Sequence, residues 1–274
     1  MPDFRPADID RLSLNQVTVD QWSLEEVIEG CGRAGIGWIG PWRHKVQEVG
    51  IDKAARMVSD SGLRVSSYCR GGFFPAPEHE VSGRHDDNRR AVDEAAELGT
   101  DVLVLVCGPS IDKDIETARR MVVDGIAELV PHARAAGVRL GIEPLHPMFA
   151  ADRSVVVTLG QANEMASNFS SAEVGVIVDV YHVWWDPSLY DEIERAAGRI
   201  LGFHVSDWTI PTEELLAGRG LMGDGVIELR RIRAAVEAAG YRGPIEVEII
   251  NRDLWGRSGD EVLGAVVGRF SEYV

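Results

Sequence analysis

Glu143, Asp179, His204 and Glu248 are the residues of this chain whose type and setting suit chemistry. Each stands at the end of a short apolar run: GIE before PLH, VGVIVD before VYH, ILGFH before VSD, and PIEVE before II. The second of these, residues 174–182, alternates β-branched side chains and reads as a strand buried on both faces. A carboxylate at the tip of such a strand has lost water on most sides. It is stable there only where a cation or dense hydrogen bonding meets it. Three carboxylates cannot share a pocket unpaired, because repulsion and desolvation would raise their pKa values until some protonated. A divalent cation removes the conflict. Three oxygen donors and one imidazole suit Mn2+, ranked first, or Mg2+, Co2+ or Zn2+. The thiolate-rich pattern of structural zinc is absent from the sequence.

Taken singly, a strand-end carboxylate is an N-cap or an ion-pair partner, and a lone histidine is a hydrogen-bonded core residue. The functional reading comes from four such residues ending four consecutive strands at one depth. Side chains alternate along a strand, so Gly141 and Gly202 lie beneath Glu143 and His204 on the same face. They are expected to leave room for a ligand cluster. Glu246 also faces inward, one layer deeper, and needs partners that the sequence does not identify.

The elements that must position these groups alternate along the whole chain. Strands are predicted at 11–19, within IGWIG, and at 63–68, followed by DVLVLVCG, VRLGIEPL, VGVIVDVYH, ILGFHVSDW and GPIEVEII. Helices are predicted between them: from Ser23, with Glu26 completing a capping box, to Gly35, then at 51–61 and 86–98, and at 114–136 with a kink or break at Pro131. Further helices follow at 159–169, 188–197, 227–239 and 260–273. Residues 69–85 form the longest irregular segment of the first half. Eight strand–helix units without a linker predict a single α/β domain over 1–274, a (β/α)8 TIM barrel. A doubly wound sheet would show a Gly-rich phosphate turn after its first strand, and LNQVTVDQWS has none.

The 274 residues are 45% hydrophobic and 26% charged, with 28 Lys and Arg against 44 Asp and Glu, a formal charge of −16. Such a surface repels phosphate backbones and anionic membranes, which argues against nucleic-acid and membrane partners. Cys31, Cys69 and Cys107 include no C-x-x-C pair and read as free thiols of a reducing compartment. The start, MPDFRPADIDRLS, has no apolar h-region, and no window is long enough to span a membrane, so a cytoplasmic protein is expected. Trp38 and Trp184 belong to a set of loop aromatics that could line a sugar pocket. The same residues serve equally well as core or subunit-interface anchors of a homo-oligomer.

IEPLHP (142–147), DVYH (179–182), HVSDW (204–208), GDG (223–225) and GYRGPIEVE (240–248) together resemble the xylose isomerase-like TIM-barrel superfamily. Within it, the chain is most similar to the sugar phosphate isomerase/epimerase group. The resemblance covers essentially the whole chain. It implies that Glu143, Asp179, His204 and Glu248 bind one divalent metal, and that Glu143 and Glu248 double as an acid/base pair. It further implies substrate contacts from His182 and His146. An arginine that follows the strand-seven histidine in ketose 3-epimerases is missing from HVSDWTIP, and Arg219 is the nearest candidate. The expected activity is metal-dependent isomerisation or epimerisation of a small polyhydroxy ketone, a ketose or inosose, by proton transfer through an enediolate. A lyase or dehydratase acting on a keto-sugar or oxidised glycoside begins with the same proton abstraction and is the alternative. A barrel endonuclease with a multinuclear metal cluster is disfavoured by the −16 charge, and a non-catalytic binding subunit by the presence of both glutamates.

Overall fold

The computed structural model describes residues 9–274, so the N-terminal stretch without an h-region lies mostly outside the described residues. Eleven strands follow in chain order: β1 (Leu12–Asn15), β2 (Trp38–Gly40), β3 (Arg64–Val65), β4 (Tyr68–Gly72), β5 (Val102–Val106), β6 (Arg139–Glu143), β7 (Val174–Asp179), β8 (Ile200–Val205), β9 (Asp207–Trp208), β10 (Arg219–Gly220) and β11 (Ile245–Val247). Nine of them form one parallel sheet in the order β3-β2-β1-β11-β8-β7-β6-β5-β4. β3 and β4 are successive pieces of one barrel stave, parted at Ser66 and Ser67, and the Trp42–Cys69 bridge joins β4 back toward β2. The sheet therefore curls into a nearly closed TIM barrel with the helices outside.

Outward side chains such as Leu12, Leu14, Leu105, Val178 and Phe203 form the main core, together with Val27, Ile126, Val236 and Val266 of the helices. Burial of these faces is the chief stabilising term. Inside the barrel, Val102, Val104, Ile177 and Leu201 make a separate apolar plug. A β-carbon at Gly141 would come within 2.6 Å of Ile177 Cδ1, and one at Gly202 within 2.9 Å. The room left by these glycines is thus filled by Ile177, rather than reserved for a ligand.

Several boundaries differ from expectation for local reasons. The strand expected over 11–19 stops at Asn15, whose side chain accepts from Val17 N (3.0 Å) and starts the 3-10 turn Gln16–Val19. The third strand is two short pieces, and 69–72 belongs to β4 rather than to a loop. The helix expected from 86 begins at Glu78, directly after Pro77. Its first two turns are polar and mostly exposed, so they carry no apolar period, while Glu78 and Glu80 favour the helix N-terminus. Helix Ile115–Ala136 runs unbroken through Pro131. Pro131 and Ala127, one turn earlier, both face solvent, where water can satisfy the carbonyl that the proline leaves free. No helix among the described residues is long and apolar enough to cross a membrane.

The same long helix packs closely because Gly125 has no side chain: a β-carbon there would overlap the buried Phe74 ring. Gly125→Ala should therefore cost about 1–3 kcal/mol through overpacking. Gly264→Ala in helix Gly259–Tyr273, where nothing lies within 4 Å, should be neutral or stabilising by up to about 1 kcal/mol. Urea unfolding of the two variants tests this contrast, and equal midpoints would contradict the packing assigned to Gly125.

Candidate active site

The strand ends converge as the alternation requires. One donor atom from each of Glu143, Asp179, His204 and Glu248 lies within 4.8 Å of the others, and all four residues are buried. β7 and β8 set Asp179 beside His204 in register, and β8 and β11 set His204 beside Glu246. Asp179 also caps the single helical turn Val180–Val183, with Oδ1 accepting from Tyr181 N (2.9 Å). That turn swings His182 back over the strand ends.

Arg219 brings a permanent positive charge into this cluster. Its Nη1 donates to Asp179 Oδ2 (2.9 Å), Glu248 Oε2 (3.0 Å) and the Glu248 carbonyl (3.2 Å). Its guanidinium lies 4.5 Å from the Tyr181 ring centroid, and the residue is only 2% exposed. The loop delivers it because β10 pairs antiparallel with β9, placing Arg219 opposite Trp208. Asp207 clamps the same loop, accepting from Trp208 N and Ile227 N at Oδ1 and from Gly223 N at Oδ2. A side chain at Gly225 would collide with the Trp208 carbonyl, so the GDG turn needs its second glycine.

The protonation states follow from these neighbours. Burial alone would raise Asp179, but Arg219, then His182 and His204, hold it below its ordinary value. Burial, reinforced by the Glu248 charge, pushes Glu143 up to about 7 against the opposing pull of His204. Burial would lower His204, but Glu246, Glu143 and Glu248 override it and raise it well above its ordinary value. Burial drives His182 down to about 3, so its imidazole is neutral. Its Nδ1 accepts from His146 N (3.1 Å), and its Nε2 lies 3.0 Å from Arg219 Nη2.

Glu246 has the partners it needed. Asn15 Nδ2 donates to its Oε1 (2.6 Å), and the Ser66 and Ser67 hydroxyls lie 2.7 and 2.9 Å from its Oε2. Asn15 Nδ2 also reaches Glu248 Oε1 at 3.2 Å, which links the deeper layer to the upper one. His204 spans the two layers. Its Nδ1 faces Glu143 Oε1 (3.5 Å) and Glu248 Oε2 (3.8 Å), and its Nε2 faces Glu246 Oε2 (3.7 Å).

The donor set fits a divalent cation. Glu143 Oε1 and His204 Nδ1 are buried atoms without a hydrogen-bond partner, and both face the centre of the cluster. A doubly charged ion beside the Arg219 guanidinium would balance the three carboxylates Glu143, Asp179 and Glu248. Above them lies a cavity of about 140 Å³, lined in part by Trp42, Glu143, His182, Arg219 and Glu248. Depressions of about 550 and 350 Å³ elsewhere contain none of the four cluster residues.

Other expected contacts fall outside this cavity. Trp38 lines the 350 Å³ depression at the N-terminal mouth of the barrel, under the Arg64 guanidinium (3.7 Å). The substrate contact expected of it is corrected: Trp38 begins its strand, and barrel sites form where strands end. Trp184 packs against Trp208 (ring centroids 5.6 Å apart), and the His146 ring sits between Trp185 and Trp208. His146 reaches the site through its backbone N–H to His182. Asn15, Ser66 and Ser67, which hold Glu246, and Arg70 and Arg153, which line the cavity, are functional residues beyond those expected from the sequence. For Asn15 the signal was available, since it shares the inward face of β1 with Ser13.

A 3-dehydroshikimate dehydratase from Pseudomonas putida is 31% identical over 84% of this chain, which spans 36% of that longer protein. An inosose isomerase from Halalkalibacterium halodurans is 26% identical over 53% of this chain and 51% of its own length. The crystal structure of a protein from Sinorhizobium meliloti 1021 superposes with a TM-score of 0.94 at 50% identity, covering 97% of this chain and 99% of that one. The xylose isomerase-like TIM-barrel family profile matches residues 27–267, and the chain belongs to that family.

Proposed function

We propose that this chain is a divalent-metal-dependent enzyme that moves a proton at the carbon beside a carbonyl group of a small polyhydroxy ketone, as an isomerase or epimerase. The observation that carries the reading is that Glu143 and Glu248, from strands separated by two others in the sheet, both face one cavity. Glu143, Asp179, His204 and Glu248 would hold the ion, with Mn2+ ahead of Mg2+, Co2+ and Zn2+. When bound, it would supply positive charge that polarises a carbonyl and a neighbouring hydroxyl.

The rest is the work of the chain's own groups. Glu143 Oε1 carries no hydrogen bond and is the freer of the two carboxylates to accept a proton from carbon. Its raised pKa belongs to the ion-free site; an ion held beside it would lower its basicity, and polarisation of the substrate carbonyl would acidify the C–H to match. Glu248 is held by Asn15 and Arg219, so its orientation is fixed, and it can return the proton from a second direction. His182, with a neutral imidazole, and Arg219, with a charged guanidinium, line the cavity wall beside each other, where substrate oxygens would pass. Elimination of water is the second reading. It is favoured by the similarity to the dehydratase, and it needs only that a protonated Glu143 donate to a departing hydroxyl instead of to carbon.

Two outcomes are expected. In the metal-free protein, Glu143 and His204 both hold protons more tightly than usual, and an ion must displace them. Apparent Mn2+ affinity should therefore rise between about pH 5 and 8, with protons released on binding. Calorimetry in buffers of different ionisation enthalpy measures this, and a pH-independent affinity would contradict the assignment. In D2O with Mn2+, a ketose or inosose substrate should take up deuterium beside its carbonyl. Glu143→Gln and Glu248→Gln, checked for metal content, should slow that uptake by roughly 10²–10⁴-fold. Turnover of a substrate without any label uptake would exclude proton abstraction from carbon.

A further inference from the structure

Arg70 and Arg153 line the cavity above the carboxylates, Arg70 from β4 and Arg153 from the loop after β6. Among the described residues, neither guanidinium has a carboxylate or carbonyl partner. Arg70 lies 4.0 Å from the Phe73 ring centroid, a contact that orients the group without neutralising it. The backbone carbonyl of Arg153 accepts from Gly108 N (2.9 Å), which fixes the start of its side chain and leaves the charge free. The nearby acidic groups are already engaged: Asp87 bonds Arg43 and Arg90, and Glu94 bonds Arg43 and Tyr68.

The chain carries 44 acidic residues and a net charge of −16, so two unpaired cations on one concave wall need a physical reason. Burial lowers the pKa of Arg70, and the positive charge of Arg153 adds to that effect. A neutral polyhydroxy ketone offers only hydroxyl and carbonyl dipoles and would leave this like-charge pair uncompensated. An anionic group offers several acceptor oxygens, which the planar guanidinium fork matches bidentately.

We infer that Arg70 and Arg153 form an anion subsite, and that the substrate is a small hydroxy-ketone carrying a carboxylate or phosphate. Glu143 and Glu248 face its reacting carbon while the two arginines hold its charged end. This rests on the reading of the carboxylate cluster as the reactive centre, and it narrows the substrate class of that site.

The test uses three compounds that share one hydroxy-ketone unit: dihydroxyacetone, hydroxypyruvate and dihydroxyacetone phosphate. Their affinities for the Mn2+-loaded protein are measured by calorimetry in the wild type, Arg70→Gln, Arg153→Gln and the double variant. At least one anionic compound should bind at least about tenfold more tightly than dihydroxyacetone, and the double variant should lose that ratio. Whether the carboxylate or the phosphate compound gains more identifies the anion. Equal affinities, no binding of either anion at millimolar concentration, or a ratio retained in the double variant would overturn the inference. The ratio is internal to each variant, so partial loss of folded protein does not alter it. Because binding is read rather than turnover, anion preference without proton exchange would remove the catalytic reading and leave this one. Exchange without anion preference would do the reverse.

Discussion

Three buried carboxylates within a few ångströms of one another require positive charge, and much of this structure follows from how that charge is supplied. Arg219 provides one unit to Asp179 and Glu248 at 2.9 and 3.0 Å. Bringing a guanidinium to the barrel centre requires a loop held on both sides. The β9–β10 pair, the Asp207 clamp and the bond from Asn251 Nδ2 to the Arg219 carbonyl (2.8 Å) hold it. The remaining demand falls on Glu143 and His204, which share the face of the cluster that lacks hydrogen bonds. Protons or a divalent ion could meet that demand, and binding of one would then oppose binding of the other.

The aromatic groups around the cluster strengthen this electrostatics by excluding water. Tyr181 stacks on Trp208 (centroids 4.7 Å apart), and Arg219 lies against the Tyr181 ring. His146 and Trp184 pack on Trp208 in turn. A guanidinium between such a wall and two carboxylates interacts in a medium of low effective dielectric, where each contact is stronger than at a surface. The loop tryptophans after β7 and β8 thus act on the site through Arg219 and His182 rather than by lining the cavity.

How much could be read from the sequence depended on whether a residue sat in a periodic element. Glu143, Asp179, His204 and Glu248 end apolar runs, and alternation alone put them on one face. Trp38 was assigned to the wrong end of the barrel because a three-residue strand gives little indication of where it begins. The room expected for a ligand cluster at Gly141 and Gly202 is taken by Ile177, which comes from another strand and which no pattern local to either glycine reveals. Arg70 followed a strand that the sequence showed as ending at 68, and Arg153 lies in an irregular loop, so neither stood out. The partners of Glu246 lie 179 to 231 residues away in the chain, and no local pattern could join them to it.

That last network bears on how the barrel staves find their alignment. Asn15 of β1, Ser66 and Ser67 between β3 and β4, and Glu246 of β11 meet inside the barrel, beneath the carboxylate cluster. If β1 slipped by one residue, Leu12 and Leu14 would turn inward and Asn15 outward. Glu246 would then be a buried carboxylate without its amide donor, facing leucine. Slipping the Ser66–Ser67 segment would likewise remove hydroxyl donors from the same carboxylate. Parallel β-strands rich in valine and isoleucine have few features that distinguish one pairing from the next. In this chain a single acidic side chain penalises the wrong pairings, so the residue beneath the carboxylate cluster also helps the first and last strands close the barrel in register.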